Sequence, residues 1–211
     1  MSMRWEGHVS LNTSAPLRIL AATSFPSHSA MPFTLHAHGR VIDGAFRIEF
    51  RNDGVADAVF EVSGASNETP RSYTVEGGGS LLDSWYGTPG TGQYDLSVHG
   101  PSGFFRRFKG TVAGPNSRVI EVRATYDARH SNVLLELSNP TAHEALVKIL
   151  DRYTSKTIAF VIDPGELEPR RWGAHRTAGW YDLTVTVEGN PTFATQLAGH
   201  LENVDDRMRD R

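Results

Sequence analysis

The sequence contains no cysteine, no long apolar run and no excess of basic charge. The absence of cysteine among 211 residues excludes disulfides, thiolate metal sites and a cysteine nucleophile. A formal net charge of −3 argues against a nucleic-acid-binding protein, which normally carries a strongly basic face. No apolar stretch approaches the roughly 18 residues that a membrane-spanning helix requires. These absences indicate a globular protein whose fold is not stabilised by disulfide bonds.

The two ends of the chain differ in composition from the middle. Residues 1–30 lack the basic start, apolar core and small-residue cleavage site of a signal peptide. We expect a leader or linker there, with a short strand at Leu17–Ala22. Residues 203–211 are highly charged, and we expect them to be disordered.

The middle of the chain is an internal repeat. A shift of 87 positions aligns Glu49 with Glu136 and Asn52 with Asn139, and it holds from about residue 31 to residue 98. Two additional residues then raise the shift to 89, which aligns Phe104 with Phe193. Such a long register indicates a tandem duplication. We predict two domains, residues 31–112 and 118–202, joined by the turn-rich segment 113–117.

Within each copy, apolar residues alternate with polar ones, as in strands that bury one face. Phe46, Ile48 and Phe50 form one such set, and turn residues recur every 8–12 positions. We predict six or seven short strands per copy, and an all-β fold of two tandem small antiparallel β-sandwich domains, Ig-like in architecture. The one helical turn that we considered lies near Gly78–Trp85, with its partner at Gly165–Trp172.

Two histidines raise the possibility of a metal site. His36 and His38 are two residues apart on a predicted strand, so both point to the same side, as ligands of zinc or copper would. No third ligand lies nearby, and the second copy has Arg123 and Thr125 at these positions. We therefore favour the solvent face of a half-buried strand, and we predict no metal and no cofactor.

Aromatic residues recur beside charged ones. Alternation turns Tyr94 and Tyr181 inward and the adjacent Asp95 and Asp182 outward, which favours a structural role over a ligand site. In the segment Phe104–Phe108, alternation would bury Arg106 between two phenylalanines. Such a pattern indicates either a bulge or an arginine lying over an aromatic ring.

A candidate contact site combines tryptophan with arginine. Exposed aromatic residues beside arginine can dock at a lipid headgroup layer or stack on a sugar, whereas a tryptophan repeated in both copies is more simply a core residue. Both interpretations stay open for the five candidates, which are Trp85, Tyr86, Arg170, Arg171 and Trp172.

Motifs of known chemistry are missing. Gly100-Pro101-Ser102-Gly103 does not fit the nucleophile elbow G-x-S-x-G, and no P-loop, dinucleotide fingerprint or H-E-x-x-H motif occurs. Asn67-Glu68-Thr69 fits a glycosylation sequon only weakly. We predict no catalytic residue in this chain, and no enzyme activity for the chain alone.

The sequence does resemble a known family. Residues 46–54, 58–62 and 73–78, followed by Trp85, are similar to the repeated C-terminal domain of bacterial phosphocholine-specific phospholipases C, hemolytic and non-hemolytic. The most specific stretch is the closing one, residues 92–110, which the second copy repeats from Gly179 onward. The resemblance covers roughly residues 31–202.

The resemblance implies a parent enzyme that is secreted and hydrolyses phosphatidylcholine or sphingomyelin to phosphocholine. Its catalytic domain, related to acid phosphatases, has no counterpart here, so no catalytic residue carries over. The implied role is a non-catalytic accessory module that stabilises the enzyme or positions it at a phospholipid surface, a choline headgroup or a partner. The alternative is a free-standing binding or adhesion module for a sugar or a protein.

Overall fold

A computed structural model describes residues 33–64 and 69–201. In this part of the chain the only helical elements are four short 3-10 turns, and all other regular structure is strand. The all-β prediction is confirmed. The expected strand at Leu17–Ala22, the charged tail and Asn67 lie outside the described residues.

Each copy of the repeat contains seven strands. The strands of the first copy are β1 (Leu35–Ile42), β2 (Ala45–Asn52), β3 (Ala58–Gly64), β4 (Arg71–Val75), β5 (Ser80–Trp85), β6 (Gln93–His99) and β7 (Phe105–Thr111). Those of the second copy are β8 (Glu121–Asp127), β9 (Asn132–Ser138), β10 (Ala145–Asp151), β11 (Lys156–Ile162), β12 (Leu167–Gly173), β13 (Trp180–Val187) and β14 (Asn190–His200). Element by element, β8 to β14 repeat β1 to β7.

The strands form three antiparallel sheets in two layers. One layer is an eight-stranded sheet that runs through both copies in the order β11-β10-β13-β14-β7-β6-β3-β4. The other layer consists of two three-stranded sheets, β1-β2-β5 and β12-β9-β8. Strand β1 of the first copy lies beside β8 of the second copy, where the two small sheets meet.

Two equivalent strands, β7 and β14, join the copies in the large sheet. They pair antiparallel, with Arg107 opposite Gln196 and Arg106 opposite Leu197. Because Arg107 and Gln196 correspond under the 89-residue shift, the pairing relates the copies by an approximate two-fold axis through this residue pair. Such an arrangement resembles an isologous interface between two subunits.

Each copy has its own hydrophobic core between the layers. In the first copy Ile48, Phe50 and Phe60 are fully buried, and in the second Leu135 and Ile149 occupy the corresponding interior. The alternation predicted for these strands is confirmed. The bounds of the two predicted domains stay a prediction, because the shared sheet makes the copies continuous.

The helical turn considered at Gly78–Trp85 was wrong, and so was its partner in the second copy. Both segments are strands: β5 pairs antiparallel with β2, and β12 pairs with β9. A glycine in the left-handed region, with φ of +75° at both Gly78 and Gly165, turns the chain into each strand. The strands cover the free edges of β2 and β9, a tertiary pairing that local periodicity does not reveal.

A buried asparagine fixes the same corner in each copy. The Asn52 amide nitrogen donates to the carbonyl oxygens of Ala56 (2.7 Å) and Val75 (3.2 Å), and its oxygen accepts from the Gly54 amide. Asn139 repeats this pattern with its own neighbours, donating to the carbonyl of Ile162 at 2.9 Å. The recurrence of Asn52 and Asn139 in the sequence therefore has a structural cause.

Candidate functional site

The five candidate contact residues lie on or next to β5 and β12, which are edge strands. In the layer of small sheets, β5 stands at one end and β12 at the other, with four strands between them. The fold therefore does not bring the two groups of candidates together. Any surface contact would have to be made at one end or at both.

In the first copy only Tyr86 is exposed. Trp85 is buried, with its ring 6.5 Å from that of Phe50 and the guanidinium of Arg71 4.9 Å above it. Tyr86, the next residue, is 75% exposed. Trp85 is thus a core residue, the simpler of the two interpretations of its recurrence, and it offers no surface for a ligand.

In the second copy the candidates are largely engaged with their own fold. The Trp172 indole donates to Asp151 at 3.1 Å, and the Arg170 guanidinium lies 4.1 Å from the Phe160 ring and pairs with Glu168. Burial opposes ionisation of Asp151, but hydrogen bonds from Thr154 and Trp172 lower the pKa of its carboxyl group. Arg171 is exposed.

The prediction that His36 and His38 lie on the solvent face was wrong. His36 is buried at the seam between the copies: its Nδ1 is 3.1 Å from the carbonyl oxygen of Ala124, and its ring stacks on that of Tyr126. His38 is half-buried. The cause is β8 of the second copy, which covers a face of β1 that alternation within one copy leaves open.

Arg106 forms the centre of a polar cluster between the copies. This fully buried guanidinium lies 4.3 Å from the Phe104 ring and donates to the carbonyl oxygen of Ala198 at 3.0 Å. Its Nη2 also donates to the hydroxyls of Tyr126 and, at 3.3 Å, Tyr181. Of the two interpretations of the Phe104–Phe108 pattern, the arginine over an aromatic ring is therefore confirmed.

Tyr126 extends this cluster to the first strand. Burial raises the pKa of its hydroxyl well above the ordinary value of 10, so the hydroxyl remains protonated and donates to the Leu35 carbonyl at 3.2 Å. An ordered path of hydrogen bonds thus links β7, β8 and β1. Sequence reasoning missed Tyr126, because its counterpart under the repeat is Gly39.

The repeated tyrosines point inward, as predicted. Tyr94 and Tyr181 lie opposite Gly110 and Gly199 in the sheet register, and each ring covers its glycine. Both interact with their own copy's strands in the same way, although only the Tyr181 hydroxyl reaches Arg106. A glycine is needed at these positions because a β-carbon would collide with the tyrosine.

The described residues hold no cluster of three or more histidine, aspartate or glutamate side chains arranged to bind a metal ion. No helix in this part of the chain has the length and apolar character to span a membrane. The geometry instead defines a class: a tandem β-sandwich in which the recurring positions serve packing, with its polar cluster buried at the junction.

Comparison with known proteins identifies the family. The sequence model of the family described as bacterial phospholipase C, C-terminal domain, matches residues 27–111 and again residues 120–200. The two matches together make up most of the chain. The chain belongs to this family. The two matches correspond to the two copies of the repeat.

Similar proteins are whole phospholipases C. The chain is 31% identical over 184 residues to the non-hemolytic phospholipase C of Pseudomonas aeruginosa, covering 82% of this chain and 26% of the relative. It is 32% identical over 195 residues to the non-hemolytic phospholipase C of Burkholderia pseudomallei, covering 86% and 28%. The hemolytic enzyme of P. aeruginosa is 31% identical over 204 residues. The chain spans about a quarter of the length of these relatives.

Proposed function

We propose that this chain is a non-catalytic accessory module of a secreted phospholipase C that cleaves phosphocholine from lipids. The observation that carries the proposal is the family match over both copies. The relatives that share this module are named phospholipases C, and about three quarters of their length lies outside it. The recurring residues support the proposal, since Asn52 and Tyr94, with their counterparts, serve the fold.

The module would act by stabilising the rest of the enzyme or by positioning it at a lipid surface. Of the five candidates, Tyr86 and Arg171 have the exposure that a lipid contact requires. They lie near opposite ends of the same layer. The net charge of −3 opposes strong attachment to anionic membranes, so zwitterionic phosphatidylcholine is the surface to test.

Two measurements test the proposal. The purified chain should release no chromophore from p-nitrophenyl phosphocholine, and turnover would contradict a non-catalytic role. Co-sedimentation with phosphatidylcholine vesicles should pellet the chain, and Tyr86→Ala and Arg171→Ala should each reduce pelleting. Arg129→Ala, another exposed arginine, is the matched control. Negligible pelleting of all variants would end the lipid proposal and leave stabilisation of the enzyme.

The reading frame upstream of Met1 gives a separate check. A phosphatase-like catalytic domain encoded there would support a module that works in cis. Binding of a glycan or a protein by the chain, together with no such domain upstream, would favour the free-standing binding module instead.

A further inference from the structure

The approximate two-fold axis relates two cavities of unequal size. Tyr94 and Phe193 line a cavity of about 330 Å³, whereas their counterparts Tyr181 and Phe104 line one of about 150 Å³. Both cavities lie where β1 and β8 meet the large sheet. Because symmetric copies would form equal cavities, the difference must come from positions where the copies differ in sequence.

Two such positions account for the difference. On the side of the smaller cavity, Arg106 and Tyr126 fill the junction with a guanidinium and a phenol. Their counterparts on the other side are Thr195 and Gly39, which both line the larger cavity. The exchange of two large side chains for a threonine and a glycine therefore leaves the first copy's half of the junction unfilled.

Four aromatic rings form the floor of the larger cavity, whose accessible lining is both polar and apolar. The Phe46 ring stacks on that of Tyr94 at 4.1 Å and lies 5.4 Å from that of Phe108, and all three line the cavity with Phe193. The hydroxyls of Tyr94 and Thr195 form no hydrogen bond with any other described residue. A volume of about 330 Å³ with polar walls and an aromatic floor suits a small organic ligand that has both polar and apolar parts.

The charged side chains that line this cavity comprise three basic and two acidic groups. The charged side chains around it are Arg40, Lys109, Arg118, Asp43 and Glu121. Arg47 lies 3.6 Å from Asp43, and Asp95 lies 3.8 Å from Lys109. Arg40, Arg118 and Glu121 form no ion pair within the described ranges, so the lining has two unpaired guanidinium groups and one unpaired carboxylate. This balance contrasts with the chain's net charge of −3.

We propose that this cavity binds an amphipathic anion, with an apolar or aromatic body against the aromatic floor and a single anionic group held by Arg40 and Arg118. Arginine presents paired donors that suit carboxylate, phosphate and sulfonate oxygens. A quaternary ammonium would instead meet two unpaired guanidinium groups against one unpaired carboxylate. The site depends only on the junction of the two copies, not on the proposed role in a phospholipase.

Two fluorescent probes of the same shape separate the apolar and anionic parts of this proposal. 8-Anilinonaphthalene-1-sulfonate carries one anionic group, and N-phenyl-1-naphthylamine is its neutral analogue. We expect saturable binding of the sulfonate by the native chain with a stoichiometry of one. Octyl sulfate should displace it, and choline should not.

Variants locate the site. Arg40→Ala and Arg118→Ala should each weaken sulfonate binding by roughly tenfold, the effect of losing one charge-assisted contact, with little change for the neutral probe. Thr195→Leu, which reduces the volume of the cavity, should weaken the binding of both probes. Arg176→Ala, an exposed arginine far along the second copy, is the matched control and should bind as the parent does. Circular dichroism confirms that each variant is folded.

Three results would overturn the proposal. They are no saturable sulfonate binding, equal affinity of the parent and both arginine variants for the sulfonate, and displacement by choline but not by octyl sulfate. Because Arg40 and Arg118 are exposed, their substitution leaves the fold intact, so these outcomes report on the site itself.

Discussion

Arg107 and Gln196 occupy the same position in the two copies and face each other across the β7–β14 pair. Each is hydrogen bonded to the aspartate of its own copy, Arg107 to Asp95 at 2.7 Å and Gln196 to Asp182 at 2.8 Å. Two arginines here would place like charges directly opposite, which is destabilising. The copies therefore differ where the axis brings equivalent residues together.

Arg106→Ala should strongly destabilise the protein. The substitution leaves a void beside Phe104 and removes the donor to the Tyr126 hydroxyl and the Ala198 carbonyl. We expect a loss of about 3 kcal/mol in the free energy of unfolding, from the cavity and the buried acceptors together. Urea denaturation followed by tryptophan fluorescence measures it.

Arg107→Ala is the matched control for that experiment. Its ion pair with Asp95 is partly exposed, so the loss in the free energy of unfolding should stay below about 1 kcal/mol.

The parent should unfold in one transition because the copies share a sheet, and the loss of Arg106 should broaden or split this transition. Equal losses for the two variants would show that the buried guanidinium has no special role.

Asn52→Ala and Asn139→Ala should have matching effects. Each removes a buried amide that bonds two carbonyl oxygens and one backbone amide in its own copy. Leaving these groups unpaired should cost about 2 to 4 kcal/mol in either variant. The exposed Asn116 is the control, and Asn116→Ala should change the free energy of unfolding by less than about 0.5 kcal/mol. Very different costs at the two sites would argue against a shared framework role.

The seam histidines should make the protein less stable in mild acid. Burial, with repulsion from His36 and Arg123, lowers the pKa of His38 from its ordinary value of 6.5 to about 3. Burial also lowers the pKa of His36, against the opposing effects of the Ala124 carbonyl and Asp53. Below pH 6.5 the unfolded chain binds protons that the folded chain does not. The free energy of unfolding should therefore fall as pH drops from 6.5 towards 3, by up to about 1.4 kcal/mol per pH unit for His38, and His36 contributes in the same direction.

Urea denaturation at pH 7 and pH 5 tests this dependence. His38→Gln should reduce the difference between the two pH values, because the substituted side chain does not titrate. His143→Gln, at an exposed position of the second copy, should leave the difference as it is in the parent. A parent whose stability is the same at both pH values would contradict the prediction.

Gly110→Ala should collide with Tyr94. The new β-carbon would lie 2.4 Å from the tyrosine oxygen, and the stacking of that ring on Phe46 at 4.1 Å hinders its retreat. We expect a cost of about 1 to 3 kcal/mol in the free energy of unfolding. Adding Tyr94→Phe should recover part of the lost free energy of unfolding. A double-mutant cycle measures this recovery. A neutral effect of Gly110→Ala alone would show that the tyrosine moves freely.

The strands of each core could be predicted because alternation is a local property. Phe46, Ile48 and Phe50 reveal their shared face within five residues, and the repeat shows the same set again. The family resemblance was likewise present in short motifs. For these features, the sequence within one copy was sufficient.

The junction could not be predicted, because its contacts join residues about 90 positions apart. His36 meets Ala124 and Tyr126 meets Leu35 only after the copies associate, and neither pair repeats under the shift. The misplaced histidines and the missed tyrosine share this cause. The sequence offered one indirect signal, which was the loss of similarity between the copies. The positions that differ between them, such as Gly39 and its counterpart Tyr126, are those that form the junction.

The eleven-residue strand β14 has neighbours on both sides, β13 from its own copy and β7 from the other. If the chain were divided near residue 115, β7 and β14 would each become an exposed edge strand, whose unpaired backbone groups could pair with a similar strand. Halves expressed separately should therefore self-associate or precipitate, and co-expression should let them recombine. We therefore expect the pair of copies to be the smallest unit that stays in solution.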